Sequence, residues 1–198
     1  MPNQGQEAAW IAKACKGDDI AFGNLVEAYQ LPVYNLCYRM LGSAGDAEDA
    51  SQEAFLRAYR NLKRYDPKRS FTNWMLSIAS HYCIDRLRKR RIKWLSLEDE
   101  SSSPLAEKGL SPEGSTLVLE EQEAVQAVLK ELAPVDRSAV VLKYWYDMSY
   151  EEIAATLSLS ESAVKSRLHR ARKELAQRWM TAETSTSLRG LKDEASAV

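Results

Sequence analysis

Between residues 161 and 175 the chain carries Lys165, Arg170, Arg172 and Lys173, interspersed with Ser162, Ser166 and His169. Hydroxyls, an imidazole and cations on one short stretch suit hydrogen bonding to base edges and neutralisation of phosphates. They suggest binding rather than covalent chemistry, and no nucleophile, metal-ligand or phosphate-loop constellation stands elsewhere in the sequence. At about 100° per residue, Val164, Leu168, Ala171 and Leu175 form one apolar stripe, while Ser162, Ser166, His169 and Lys173 fall opposite. Arg167 lies near the apolar side. A helix braced in this way fits the major groove of duplex DNA. Taken alone, the stretch also reads as a surface helix with a solvated basic face.

A second cationic set, Arg86, Arg88, Lys89, Arg90, Arg91 and Lys93, puts charge on every side of a helix, which an ordinary core does not accept. Ahead of it Lys63-Arg-Tyr-Asp-Pro-Lys-Arg-Ser70 forms a basic loop with a rigid Asp66-Pro67 turn. Tyr65, Phe71 and Tyr82 beside these cations offer what single-stranded DNA needs: charge to follow phosphates and rings to stack bases. Core packing is the other reading of these rings, and the favoured one for Trp74. A third set is acidic. Asp46 reads as a helix N-cap, with Glu48 and Asp49 in the first turn. Phe55, Tyr59 and Leu62 point inward; Asp49, Glu53 and Leu56 share the outward side, with Arg57 and Arg60 beside them. That side is either a solvated amphipathic face or a protein-docking face.

Helices must position all three sets. The 198 residues are 45% hydrophobic, with little Gly or Pro inside periodic stretches and no persistent strand-like alternation, so an all-α fold is expected. The net charge of −1 conceals segregation, because an acidic stretch from Glu98 to Glu123 separates the two basic blocks. A first helix over about 7–16 ends at Gly17. Asp18 caps a second, with Phe22, Leu25, Val26 and Tyr29 at helical spacing, and Pro32 is expected to open or kink a further one that stops at Gly42. A long helix runs from about Phe71 to Lys93. From Leu95 to Thr116 the chain is rich in Ser, Pro, Gly and acid and reads as a flexible linker. Helices resume around Val125 to Leu132 and over 135–146. Ser149 and Glu152 then make a capping box, Ser158-Leu159-Ser160 a turn, and Ser160 the cap of the cationic helix.

The expected layout is a helical domain at 1–94, an acidic linker at 95–119, a helix-turn-helix domain at 120–180 and a disordered tail at 181–198. Cys15, Cys37 and Cys83 lack paired spacing and read as buried thiols of a reducing cytosol; no metal or cofactor site is expected. No secretory signal or membrane-length apolar run appears, so a cytoplasmic protein without membrane insertion is expected.

Four blocks in order resemble the bacterial sigma factors of the extracytoplasmic-function type: Asp46-Ala-Glu-Asp-Ala-Ser-Gln-Glu-Ala-Phe-Leu-Arg57, Phe71-Thr-Asn-Trp-Met-Leu-Ser-Ile-Ala79, Asp85-Arg-Leu-Arg88, and Tyr150-Glu-Glu-Ile-Ala154 followed by Val164 to Arg172. The resemblance covers nearly the whole chain. It implies a non-enzymatic subunit of core RNA polymerase that directs promoter recognition and DNA melting, built from a region 2-like bundle and a helix-turn-helix. By the same resemblance Asp46, Asp49, Gln52, Glu53 and Leu56 dock on the clamp helices of the largest polymerase subunit. Tyr65, Asp66, Lys68, Arg69, Phe71, Asn73, His81, Arg86, Arg88, Lys89 and Arg90 meet the minus-ten element, partly as single strand. Ser162, Lys165, Ser166, His169, Arg170, Arg172 and Lys173 read the minus-thirty-five duplex. The acidic linker matches a segment threaded toward the RNA path, and an anti-sigma factor is the expected inhibitor. Ser80-His81 stands where many relatives have Arg-Asn. The rival is an ordinary DNA-binding regulator that uses residues 120–180 alone. A helical protein that binds no nucleic acid is disfavoured by the two basic blocks.

Overall fold

The computed structural model describes residues 3–97 and 116–177, and among these every regular element is helical. In order they are α1 (Gln4–Ala14), α2 (Asp19–Leu41), α3 (Ala44–Asn61), a 3₁₀ turn (Leu62–Arg64), α4 (Phe71–Leu97), α5 (Thr116–Glu131), α6 (Pro134–Trp145), α7 (Tyr150–Leu157) and α8 (residues 161–177). The acidic linker and the tail fall largely outside the described residues. Where they meet, the expected linker is shorter than read: α4 continues to Leu97 and α5 begins at Thr116.

Side-chain oxygens start the early helices. Asn3 accepts from the Gln6 amide at 2.8 Å and Asp18 from the Ala21 amide at 3.0 Å. For α3 the cap is Ser43, not Asp46 as expected. Ser43 is the residue with extended backbone, and its Oγ accepts the Asp46 N–H at 3.4 Å. Asp46 therefore sits inside the first turn, where the helix dipole still favours its charge. Gly42 ends α2 in the left-handed region at φ 72°, and a Cβ there would lie 2.6 Å from Cε of Lys130. The positive φ is what favours glycine here, since the end of the Lys130 side chain can move aside.

Of the two expectations for Pro32, that it opens a further helix is corrected: α2 runs through it for 23 residues. Leu25, Tyr29, Val33, Leu36 and Met40 are buried on both sides of the proline, and this continuous stripe outweighs the lost hydrogen bond. Around α2 pack α1, α3 and α4, with Leu62, Met75 and Leu76 completing the centre. Phe55 and Leu62 point inward as read. Tyr59 does not: it is 45% exposed, and its hydroxyl donates to Asp19 at 2.6 Å. In the C-terminal half Val141, Leu142, Ile153, Val164 and Leu168 form the buried centre.

The two halves are in contact. Helices α2 and α4 pack against α5, α6 and α7. Arg137, 5% exposed, donates from Nη1 to the Met40 carbonyl at 2.5 Å and from Nη2 to the Lys130 carbonyl at 2.6 Å. Tyr146 donates to the Pro32 carbonyl at 2.5 Å, and the Arg39 guanidinium lies 4.9 Å from the Trp145 ring centre. Cys37 and Cys83 are sealed inside, and the Cys37 thiol is pushed up by its hydrogen bond with Cys83 and by burial. Cys15 departs from the expected burial, being partly open with its Sγ 3.6 Å from the Leu62 carbonyl. Among the described residues no group of three His, Cys, Asp or Glu could hold a metal, and no helix is long and apolar enough to cross a membrane.

Candidate nucleic-acid interface

Two short helices present the cationic face. Ser149 and Glu152 close a full capping box on α7: the Glu152 amide donates to Ser149 Oγ at 3.1 Å and the Ser149 amide to Glu152 Oε2 at 2.8 Å. Ser158 ends α7 in the left-handed region at φ 56°. Ser160 then accepts the Ala163 amide at 3.2 Å and starts α8. Val164, Leu168 and Ala171 are buried to within 2% exposure, which fixes the rotation of α8. All seven residues expected to read duplex DNA (Ser162, Lys165, Ser166, His169, Arg170, Arg172 and Lys173) are consequently exposed on its outer side. Arg167 is held back by Asp136 at 2.6 Å, with Arg170 at 3.9 Å from the same carboxylate.

The second surface is a groove of about 390 Å³ lined by Arg57, Asn61 and Arg64 on one side and Trp74, Ser77, Ile78 and His81 on the other. Of these only His81 was expected to contact DNA. Arg57, Asn61 and Arg64 were missed, although their spacing of i, i+4, i+7 puts them on one helical face. His81 brings Nδ1 to 2.8 Å from the Ser77 carbonyl, to which an N–H there donates. Ser80 is fully buried, so of the unusual Ser80-His81 pair only His81 faces the groove.

The expected stacking rings need correction. Phe71 is 2% exposed and Tyr65 8%, and they pack edge to face at 5.4 Å in the core. The Tyr65 hydroxyl is also taken by the Arg69 carbonyl. Neither ring can stack a base as placed; Trp74, read as core, is the ring at the groove wall. Asp66, Lys68 and Arg69 are exposed on the loop, where the Asp66 carboxylate accepts the Lys68 amide at 3.0 Å and shapes the turn. Asn73 is half-buried at the start of α4. Arg88 and Lys89 are exposed, whereas Arg86 and Arg90 turn back onto Asp46, the latter at 2.6 Å. That carboxylate thus bridges α3 to α4. The rest of the acidic face is open: Asp49 and Gln52 are exposed, Leu56 is 50% exposed, and Glu53 pairs with Arg57 at 2.8 Å.

Glu152 joins the two surfaces. Its Oε1 accepts from Asn73 Nδ2 at 3.1 Å. The Ser149 amide foremost, then Asn73, hold its carboxyl below the usual 4.5. A depressed folded pKa stabilises above the unfolded value and loses that contribution as pH falls through the folded one. Thermal melts should therefore show Glu152→Gln less stable than the parent near neutrality, with the difference shrinking on acidification below about 4.5. A constant difference would show that the charge is not what Ser149 and Asn73 recognise.

Comparison with known proteins decides the family. The Sigma-70 region 2 profile matches residues 25–92 and the Sigma-70, region 4 profile residues 122–175. The ECF RNA polymerase sigma factor SigW of Bacillus subtilis is 37% identical over 172 residues, 83% of this chain and 92% of its own length. The chain belongs to the extracytoplasmic-function sigma factors. Among solved structures, CnrH in complex with the cytosolic domain of CnrY matches with a TM-score of 0.65 at 25% identity, covering 89% of this chain and 98% of that one. RpoE of Bartonella quintana in complex with the anti-sigma factor NepR shares the fold, with a TM-score of 0.61 at 19% identity, over 79% of this chain and 94% of that one. As a sigma factor the chain serves promoter recognition in transcription initiation by RNA polymerase. The region 2 match takes in α3 and most of α2 and α4, and the region 4 match most of α5 together with α6, α7 and nearly all of α8.

Proposed function

We propose that this sigma factor docks on the polymerase clamp helices through Asp49, Gln52, Glu53 and Leu56, reads the minus-thirty-five duplex with α8, and holds the minus-ten strand in the region 2 groove. Asp46 supports the docking face indirectly, by holding Arg86 and Arg90. The groove carries the reading: Arg57 and Arg64 supply phosphate charge, Trp74 a ring, and Asn61 and His81 hydrogen-bonding edges. That combination is the chemistry of single-strand capture. Melting follows from differential binding, because stacking contributes roughly 1 to 3 kcal/mol per base and extrusion costs a few. The chain itself makes and breaks no covalent bond. It acts in the cytoplasm, where polymerase and promoter are, and takes an anti-sigma factor as a partner; RpoE, a protein of the same fold, is solved in complex with the anti-sigma factor NepR.

Transcription from a random promoter pool with purified core polymerase tests this. Defined start sites are expected, and footprints should lose upstream protection in Lys165→Ala and Arg172→Ala; unchanged footprints in both would refute the α8 assignment. Because Arg167 is committed to Asp136, four cations remain on α8 (Lys165, Arg170, Arg172, Lys173), and the salt slope of its contribution should not exceed about −3.6.

A further inference from the structure

Beneath the helix α8 lies an anion that faces two of its cations. Asp136 stands in the first turn of α6, which Pro134 opens and no side chain caps. Its negative charge suits that end of the helix dipole, and its side chain is only 15% exposed. Arg167 flanks the buried stripe of Val164, Leu168 and Ala171 and meets Asp136 Oδ1 at 2.6 Å. Arg170, three residues on, stands 3.9 Å from Oδ2 of the same carboxylate. The two guanidiniums have unequal claims on it. Arg167 makes the close contact and is 29% exposed, whereas Arg170 makes a loose one and remains 64% exposed. Arg167 is nevertheless not sealed in. Together with Lys165, Ser166, His169 and Arg170 it lines a shallow recess on the outer side of α8, so its guanidinium has an open path to that surface.

We propose that Asp136 is a positioning residue for promoter binding: by engaging Arg167 it keeps that cation off phosphate and leaves Arg170 as the arginine that α8 presents to the duplex. This rests on α8 reading the duplex. A phosphate contact strengthens binding on every sequence alike and adds about 0.9 to the salt slope. An anion that withholds one cation therefore lowers sequence-blind grip without touching DNA. Because two guanidiniums compete for one carboxylate, removing either member of the close pair redistributes the other arginine. Neutralising Asp136 releases Arg167 toward phosphate. Removing Arg167 draws Arg170 inward, since a partly buried carboxylate that loses its close partner is costly. Opposite changes in DNA binding follow from the two substitutions, although neither residue meets DNA in the parent. A bridge that only braced α8 on α6 would behave otherwise: losing either partner would weaken binding and lower the melting midpoint in the same way.

Holoenzyme assembled from core polymerase and each full-length variant is titrated between about 50 and 200 mM salt on a promoter recovered from the random pool. The same promoter with its upstream element scrambled is titrated in parallel. Asp136→Asn should steepen the slope by about 0.9, so that its binding falls about 3.5-fold more than the parent's over that range. The change should be similar on both templates, because phosphates carry no sequence information. Arg167→Gln should make the slope shallower by about 0.9, and the double variant should return to the parent's value. A slope that fails to move in either single variant, or moves the same way in both, overturns the role of Asp136. If thermal melts show Asp136→Asn unfolding early, Arg167→Gln decides alone: a shallower slope upholds the role and an unchanged one overturns it. Footprints left intact by Lys165→Ala and Arg172→Ala would remove the α8 assignment and this role with it. Footprints lost in those variants, with the slopes here unmoved, overturn the role of Asp136 alone.

Discussion

Arg137→Met is expected to lower the stability of this sigma factor by about 3 kcal/mol or more, with the thermal midpoint falling by about 10 °C. Arg137 donates to the carbonyls of Met40 and Lys130 and, at 3.4 Å, of Leu132. These carbonyls lie at or near the C-terminal ends of α2 and α5, where helices leave acceptors without intrahelical partners and where a cation meets the negative pole of the dipole. Methionine conserves most of the volume, so the loss reports orphaned carbonyls rather than a cavity. Burial lowers the arginine's pKa, yet the group stays charged, since guanidinium does not titrate in proteins. Lysine at 137 keeps the charge but only one nitrogen, and should fall between the two. A loss under about 1 kcal/mol in Arg137→Met would mean that the carbonyls find other donors.

The larger functional effect is expected at the acidic face of α3. Glu53→Lys combined with Leu56→Ala should weaken capture of core polymerase by about 100-fold or more, equivalent to about 2.7 kcal/mol. Leu56 is a large apolar side chain left half exposed among charges, the position from which an anchor enters a partner's pocket, and truncating such anchors costs about 2 kcal/mol or more. Reversing Glu53 adds repulsion against a basic partner surface and also breaks its pair with Arg57. Neither residue contributes to the core, so circular dichroism melts should stay close to the parent's. Co-elution with core polymerase on size exclusion reads the effect. Undiminished co-elution would move the docking surface elsewhere.

Most of the secondary structure was legible because it rests on local signals. Asp18, Gly42, Ser149 with Glu152, and Ser160 act through side chains or backbone geometry within a few residues, and all occupy the cap positions their types imply. Pro32 does not start a new helix, because its local cost is real and only the buried stripe on both sides of it overrides that cost. Asp46 was misread as a cap because Ser43 and Asp46 are both capping types, and only backbone dihedrals separate them. The exposed face of α8 followed from periodicity alone, since one apolar stripe fixes its rotation. The groove did not, because it is assembled from α3 and α4 across a turn. Phe71 and Tyr65 illustrate the general difficulty: an aromatic beside cations has the same sequence signature whether it stacks on a base or fills the core. Arg137 stands in register with Val140 and Val141, a hint of burial that its charge concealed.

The distribution of the three thiols has a practical consequence. Cys37 and Cys83 have no accessible surface, and only Cys15 is partly open to water. A maleimide fluorophore added to the native chain thus finds a single address, at the end of α1 beside the 3₁₀ turn. The protein comes with its own attachment point for a spectroscopic probe, and assembly onto polymerase can be followed without engineering a cysteine.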